Sequence, residues 1–276
     1  MERGRLYIVS TPIGNLGDIT ARAIETLKSV DIIAAEDTRQ TAKLKNAFNI
    51  GTPQISFHEH NAKKKAKSVV DMLLSGKNIA IVSDAGTPLI SDPGSELIKR
   101  AVESGIDVIT IPGACALISA LTLSAFDLRR FTFEGFIPRE GADRKQILSE
   151  IAKREYTTVI YESPFRLKKT LADLRKNCGG DRPVCIAREL TKVHEEALRG
   201  SIDSIIGDIG ENEVKGEIVI VLAGINKVEK EIDDSILIDY AKDLMQNGLT
   251  KRDAVLKTAL YFGVSKNRVY KLILPI

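Results

Sequence analysis

Apolar runs rich in β-branched residues recur at 6–10, 31–34, 79–83 and 107–111, with apolar residues at helical spacing between them, as at 18–27 and 95–103. This alternation predicts βαβ units and a mostly parallel sheet. Gly105, just past the helical pattern of 95–103, reads as a left-handed helix end before the next strand. Strand-like runs resume at 131–136, 157–161, 183–187 and 217–222, with helical patterns at 143–153 and 165–176. A second α/β region therefore begins near residue 125. The tail differs: a charged stretch, INKVEKEIDDS, leads to helical patterns at 236–246, 251–261 and 266–273. Thr250 and Ser265 read as N-caps and Gly263 as the end of the middle helix, so the tail predicts a helix-turn-helix-like unit. The fold class is α/β, with two α/β domains (1–122 and 123–226) of mostly parallel, mixed sheets and a small helical appendage over 232–276.

The chain has 276 residues, 43% hydrophobic and 28% charged, which places it among folded globular proteins rather than disordered or collagen-like chains. Its most apolar stretch, 114–125, falls short of the roughly 20 residues that span a bilayer and reads as a buried helix. The first residues, MERGR, lead straight into a strand-like run, so a signal peptide is not expected and a cytoplasmic, non-membrane protein is. Three cysteines without CxxC spacing and three histidines do not compose a zinc site, so no metal is expected.

Loops at strand ends carry the candidate chemistry. SDAGTPLISDPG (83–94) follows an apolar strand, and its glycines and prolines fix a backbone that a ligand can approach closely. Asp92 or Ser91 is expected to cap the next helix, with Pro93 in its first turn; an ordinary capped loop would read the same way. STPIGNLGDIT (10–20), AEDTRQT (35–41) and IPGACAL (111–117) occupy equivalent positions, and four such loops converging beyond the strand ends would form a pocket. Neither GxGxxG nor GxxxxGK[ST] is present, which argues against a dinucleotide or P-loop site.

Together with FEGFIPR, YESPFRL, ARELTKVHEE and KGEIVIVLAG, these motifs occur in the order seen in the ribosomal RNA small subunit methyltransferase I family, a branch of the tetrapyrrole methylase-like (class III) S-adenosylmethionine-dependent methyltransferases. The resemblance covers about residues 5–224. It implies a cleft between two α/β domains that binds S-adenosylmethionine, and methylation of the ribose 2'-hydroxyl of a cytidine in the decoding centre of 16S rRNA. The partner would be 16S rRNA within the small ribosomal subunit, and the chain would be a homodimer. Where tetrapyrrole methylases carry GDP, this chain reads Gly86-Thr87-Pro88, so Asp84 or Asp92 is expected to supply the missing acid. By the same matching Pro12, Ile90, Ala114, Cys115, Tyr161 and Glu217 should line the cofactor site.

A sulfonium is already an activated donor, so the protein must align a 2'-oxygen with the methyl and remove its proton. Candidates for the base are His58, Glu36, Asp37 and Glu189, with His58 best matched to neutral pH; a strand-end histidine, or a cap at Thr38 by Glu36 or Asp37, is the plain alternative. Arg39, Arg139, Arg166 and Arg188 sit just past strands in matched motifs. Each is a candidate phosphate fork or a partner of nearby Glu36, Glu162 or Glu189. In YESPFRL, Ser163 reads as an N-cap and Pro164 as the first helical residue.

Net charge is only +3, yet it averages unlike regions. Residues 58–67 contribute +3 and residues 251–271 contribute +5, leaving −5 for the remainder. Lys251, Arg252, Lys266 and Arg268 are therefore candidate RNA contacts, although a solvated helix face has the same composition. With 5% aromatic residues and no Trp, backbone and shape readout is favoured over base stacking. Two other functions fit the pattern: methylation of a tetrapyrrole or other small molecule, and a non-catalytic RNA-binding or ribosome-assembly role.

Overall fold

The structure, a computed structural model, describes residues 2–225 and 232–274, apart from the side chains at 59, 60, 63 and 64. Most of the charged stretch expected to link body and tail, 226–231, and four of the ten side chains in the basic run 58–67 lie outside the described residues. Two compact units form, Met1–Gly224 and Ile225–Ile276.

The first unit holds two five-stranded sheets. Strands β1 (Leu6–Val9), β2 (Ile32–Ala35), β3 (Gln54–Ser56), β4 (Ile79–Val82) and β5 (Val108–Ile111) are all parallel, in the order β3-β2-β4-β1-β5. Helices α1 (Ala21–Ser29), α2 (Thr38–Ala47), α3 (Glu59–Leu74) and α4 (Ser95–Glu103) connect them. The all-apolar run of β4 follows from burial on both faces. Ile79 and Ile81 enter a core with Leu73 of α3 and Leu97 of α4, while Ala80 and Val82 enter the opposite core with Leu27 of α1 and Leu44 of α2.

After α5 (Ala116–Ser124), the second sheet is built from β6 (Phe131–Phe136), β7 (Thr157–Glu162), β8 (Pro183–Arg188), β9 (Glu196–Ser201) and β10 (Ile218–Leu222), in the order β6-β7-β10-β8-β9. It is mixed: β6 and β7 are parallel, and the other three pairings are antiparallel. Its helices are α6 (Gly141–Ala152), α7 (Pro164–Cys178) and α8 (Ile202–Ile209). The alternation of β10 again divides two cores, Ile218, Ile220 and Leu222 facing α6, α7 and α8, and Val219 and Val221 facing α5. α5 is the buried helix expected at 114–125; it packs on the second sheet and straddles the expected 122/123 boundary.

The second unit contains α9 (Asp234–Gln246), α10 (Lys251–Phe262) and α11 (Lys266–Ile273) around a core of Leu237, Ala241, Val255, Ala259, Val264, Val269 and Ile273. Thr250 and Ser265 cap as expected, accepting from the amides of Asp253 and Arg268, and Gly263 ends α10 at φ 68°. Gly105 likewise takes φ 67° after α4.

One expected cap is corrected. α4 begins at Ser95 with Gly94 as its N-cap, so neither Ser91 nor Asp92 caps it and Pro93 precedes its first turn. Gly94 has φ 135°, and a Cβ there would lie 2.7 Å from Leu89. Only glycine suits this tight entry, which delays the helix and leaves Asp92 for the cavity below.

Candidate functional site

The four strand-end loops do converge, and the β4–α4 loop ties them together. Thr11 and Gly86 exchange backbone hydrogen bonds of 2.9 and 3.0 Å, joining the loops after β1 and β4. From the β2 loop, the Asp37 amide donates to Asp84 Oδ1 (2.9 Å), and the Asp84 amide donates back to Glu36 Oε2 (3.3 Å). Toward the β5 loop, Thr87 Oγ1 donates to the Ala114 carbonyl and lies 3.1 Å from Ser10 Oγ. Gly86 sits at φ +81°, where a Cβ would come within 3.2 Å of Ile13. Neighbouring parallel strands bring such loops side by side at their carboxyl ends, where ligands bind in open α/β folds.

The loops open into a cavity of about 460 Å³ whose other wall comes from the second sheet: Phe136, Tyr161 to Pro164, Leu190 and Gly216 to Val219. Both its size and its mixture of apolar and polar groups are those of a small-molecule site. Glu36, Asp84, Asp92, Glu162 and Glu217 line it, and among the described lining residues there is no Lys or Arg. Glu162 is already committed: it accepts from Thr170 Oγ1 at 2.6 Å and pairs with Arg166 at 3.3 Å. Burial holds the carboxyl of Glu36 above the ordinary range; the Asp84 amide works against this, and the charges of Asp92, Asp84 and Asp37 add to it. Asp92 is raised as well, first by burial and then by Asp84, with a Ser83 hydrogen bond opposing. Burial, with help from Cys115, pushes the Tyr161 hydroxyl up to about 12, and its oxygen accepts from the Leu117 amide (3.1 Å).

A second cavity of about 420 Å³ adjoins the first across Ile13, Asp84, Ala85 and Glu217, and is otherwise lined by the β1 loop, one side of α2 and Lys192.

Of the residues expected at the cofactor, Asp84, Gly86, Thr87, Ile90, Asp92, Cys115, Tyr161 and Glu217 line the larger cavity; Pro12 lines the second one, and Ala114 contributes its carbonyl to Thr87. Of the four possible bases, Glu36 lines the larger cavity and the other three line neither of these two. Asp37 is the N-cap of α2, and the Arg39 guanidinium and amide hold its carboxyl down to about 2. Glu189 is held low by Lys192 (2.9 Å) and the Glu217 amide. His58 is the N-cap residue of α3, its amide donating to Asn61, and lines neither cavity.

Most of the expected phosphate forks are engaged. Arg39 pairs with Asp37, Arg166 with Glu162 and the Ile137 carbonyl, and Arg188 with Glu196. Arg139 is exposed. In the helical unit Lys251, Arg252 and Lys266 are exposed, whereas Arg268 pairs with Asp234 and bonds the Ile232 carbonyl. Ser163 and Pro164 open α7 as expected and also line the larger cavity.

Lys192, Gln40, Lys43, Leu190 and Gly216 were not singled out in the sequence. The signal for Lys192 lay inside ARELTKVHEE. Glu189 and Thr191 there take φ 51° and 66°, unusual for non-glycine residues, and a Cβ at Gly216 would strike the Glu189 side chain at 2.4 Å.

A family profile described as Tetrapyrrole (Corrin/Porphyrin) Methylases matches residues 5–206. The chain is 46% identical over 274 residues to a Synechocystis protein named ribosomal RNA small subunit methyltransferase I, covering 99% of this chain and 98% of that one. It is 43% identical to the Bacillus subtilis protein of the same name, with 98% and 94% covered. Among solved structures, a cobalt precorrin-4 methyltransferase superposes with a TM-score of 0.61 at 19% identity over 79% of this chain and 94% of its own. Uroporphyrin-III C-methyltransferase from Thermus thermophilus, in complex with S-adenosyl homocysteine, gives 0.57 at 17% identity over 80% and 97%. At such identities these two likenesses concern the fold.

Proposed function

We propose, because the chain belongs to the tetrapyrrole methylase family and within it to the ribosomal RNA small subunit methyltransferase I group, that its larger cavity binds S-adenosylmethionine and that it methylates the ribose 2'-oxygen of a cytidine in the decoding centre of 16S rRNA. The observation that carries the donor assignment is the charge of the cavity. Once Glu162 is discounted for Arg166 and Glu217 for Lys192, the carboxylates of Glu36, Asp84 and Asp92 still line it. Carboxylates drawn from water need a cationic ligand to offset their desolvation. S-adenosylmethionine, whose sulfonium and ammonium outnumber its one carboxylate, has that charge. Asp84 and Asp92 would hold its positive groups, with Glu217, shared with Lys192, at the rim and Ile90, Val219 and the edge-on pair Phe136 and Tyr161 against its apolar faces. Bare Gly86 keeps the backbone open to close approach.

When bound, the cofactor supplies a methyl group already activated by its sulfonium. The chain's own work is then to position the 2'-oxygen and accept its proton. Glu36 is the acceptor: it lines the cavity, the Asp84 amide fixes its orientation, and its raised pKa makes it a stronger base than an exposed glutamate. As the ribose oxygen took the methyl and the donor's carbon–sulfur bond broke to leave a neutral thioether, that oxygen's proton would pass to Glu36 and on to water. Asp37 and Arg39 serve by building the first turn of α2, whose N-cap directly follows Glu36.

The exposed Lys251, Arg252 and Lys266 of the helical unit contact RNA phosphates, and the 1–122, 123–226 and 232–276 segments are the functional divisions of the chain. The enzyme works in the cytoplasm as a homodimer, the commonest closed oligomer; sedimentation as a lone 30.3 kDa species contradicts the dimer.

The test of the function is transfer of a labelled methyl from S-adenosylmethionine to small ribosomal subunits from a strain lacking the enzyme. Label in 16S rRNA is expected; label in a tetrapyrrole offered without RNA, with none in the subunits, would reverse the assignment.

A further inference from the structure

The two adjoining cavities differ in charge, and that difference divides the labour between them. The larger one has carboxylates and no described cation on its lining. The second carries Lys43 and Lys192, and its two carboxylates, Asp84 and Glu217, both belong to the wall shared with its neighbour. The first repels a phosphodiester, whereas the second presents one with Lys43, which has no carboxylate partner among the described residues, and with the remaining donor of Lys192.

Both lysines are presented there by specific local structure. Lys192 crosses from the second sheet to the β1 loop, where its stem lies on Gly14; a Cβ at Gly14 would come within 2.5 Å of its Cγ. Its ammonium bridges Glu189 (2.9 Å) and Glu217 (3.2 Å), which leaves one of its three N–H donors. Lys43, one turn into α2, donates to the neutral Gln40 Oε1 at 3.0 Å, and no ion pair to a carboxylate is found for it among the described residues. Among its described lining residues none is aromatic, so these offer no stacking platform for a base. Its lining carries the Thr41 hydroxyl, the hydroxyls of Thr11 and Ser83, which donate to backbone carbonyls and keep their lone pairs, the Gln40 amide nitrogen and two ammonium groups, which is the chemistry of sugar and phosphate recognition.

We propose that this second cavity seats the target nucleotide through its backbone, Lys43 and Lys192 holding a flanking phosphodiester while the shared wall of Ile13, Asp84, Ala85 and Glu217 brings the ribose up to the methyl donor. The inference rests on the reading of the larger cavity as the donor site. It accounts for where anionic RNA meets an acidic cleft: the cations stand beyond the shared wall.

Lys43 gives the clean test, because it is exposed and its described partner is Gln40 alone. Kinetics on small-subunit particles is expected to show KM raised about tenfold in Lys43→Gln, the effect of one charge-assisted contact, with kcat unchanged. Lys43→Glu should raise KM further, and Lys43→Arg should restore it. The log–log slope of kcat/KM against salt should flatten by about 0.7 in Lys43→Gln, one phosphate contact fewer. Calorimetry should give the same affinity for S-adenosylmethionine in all four proteins. Unchanged KM and salt slope in Lys43→Glu overturn the seat while methyl transfer itself stands. Weakened cofactor binding in Lys43→Glu also overturns it, because the donor would then occupy the second cavity. Filter binding of particles in the presence of S-adenosylhomocysteine repeats the comparison without turnover, so that a wild-type protein unable to transfer methyl would refute the proposed function yet still report on the seat: equal particle affinity for wild type and Lys43→Glu overturns it, and weaker affinity of the variant supports it.

Discussion

Glu36 and Asp37 are adjacent carboxylates with opposite fates, decided by what faces them. Asp37 points back into α2 and is saturated by Arg39, while Glu36 stands in a cleft among other acids. Glu36→Gln keeps a side chain that can accept from the Asp84 amide but cannot take a proton, so kcat should fall about 10²-fold or more with cofactor affinity little changed. Because the base works deprotonated and its pKa is raised, kcat/KM of the wild type should decline on the acid side with an inflection above the ordinary glutamate value of about 4.3. That limb should vanish in Glu36→Gln; a limb that persists there assigns the base elsewhere.

Asp92 gives a second prediction at this scale. Its pKa is raised in the folded protein, so the stability it contributes is present below the ordinary aspartate range and is lost as pH rises through its folded value. In the absence of ligand, Asp92→Asn should therefore raise the thermal midpoint at neutral pH and leave it unchanged in strong acid. The upward shift produced by S-adenosylmethionine should shrink in the same variant, since a paired charge has been removed. A cofactor-induced shift as large as the wild type's would contradict Asp92 as a partner of the donor.

At the scale of elements, the β4–α4 loop is the hub through which the β1, β2 and β5 loops are joined, and Gly86 is the point at which it pairs with the β1 loop. Alanine there adopts a left-handed conformation and meets Ile13, so Gly86→Ala should cost about 1–2 kcal/mol in urea denaturation and also weaken cofactor binding. The loop was legible in the sequence because punctuation by glycine and proline after an apolar strand has few other meanings. β4 and β10 were legible because burial on both faces leaves an unbroken apolar run. Less visible were β3, three residues of which only Ile55 is apolar, and β9, whose Glu196, Arg199 and Ser201 mark it as a polar edge strand. The helix cap at Asp92 was misread because a glycine N-cap leaves no side-chain signature. Lys192 was hidden because its place in the site depends on a loop from the second sheet reaching Gly14 of the first, which no local pattern encodes.

Across the whole molecule, charge is sorted: carboxylates line the larger cavity, Lys43 and Lys192 stand on the second, and Lys251, Arg252 and Lys266 are exposed on a separate helical unit. That unit has its own core, and the body of residues 1–224 has its own four. A chain ending at Gly224 should therefore still bind S-adenosylmethionine with wild-type affinity while its KM for small subunits rises and the salt dependence of that KM weakens. Loss of cofactor binding on truncation would contradict this division. The tail was readable to within a residue or two from caps and spacing, because short helices with Thr, Ser and Gly at their ends are written locally, whereas the meeting of two sheets around one cleft is not. The reaction is defined most directly by the atom that receives the methyl group. After reaction of S-adenosylmethionine with unmodified small subunits, 16S rRNA should be digested to nucleosides and resolved by mass spectrometry. A single methylated cytidine is expected, its added mass staying with the ribose on glycosidic cleavage; a methyl carried by the base, or no methylated nucleoside at all, would contradict the 2'-oxygen as acceptor.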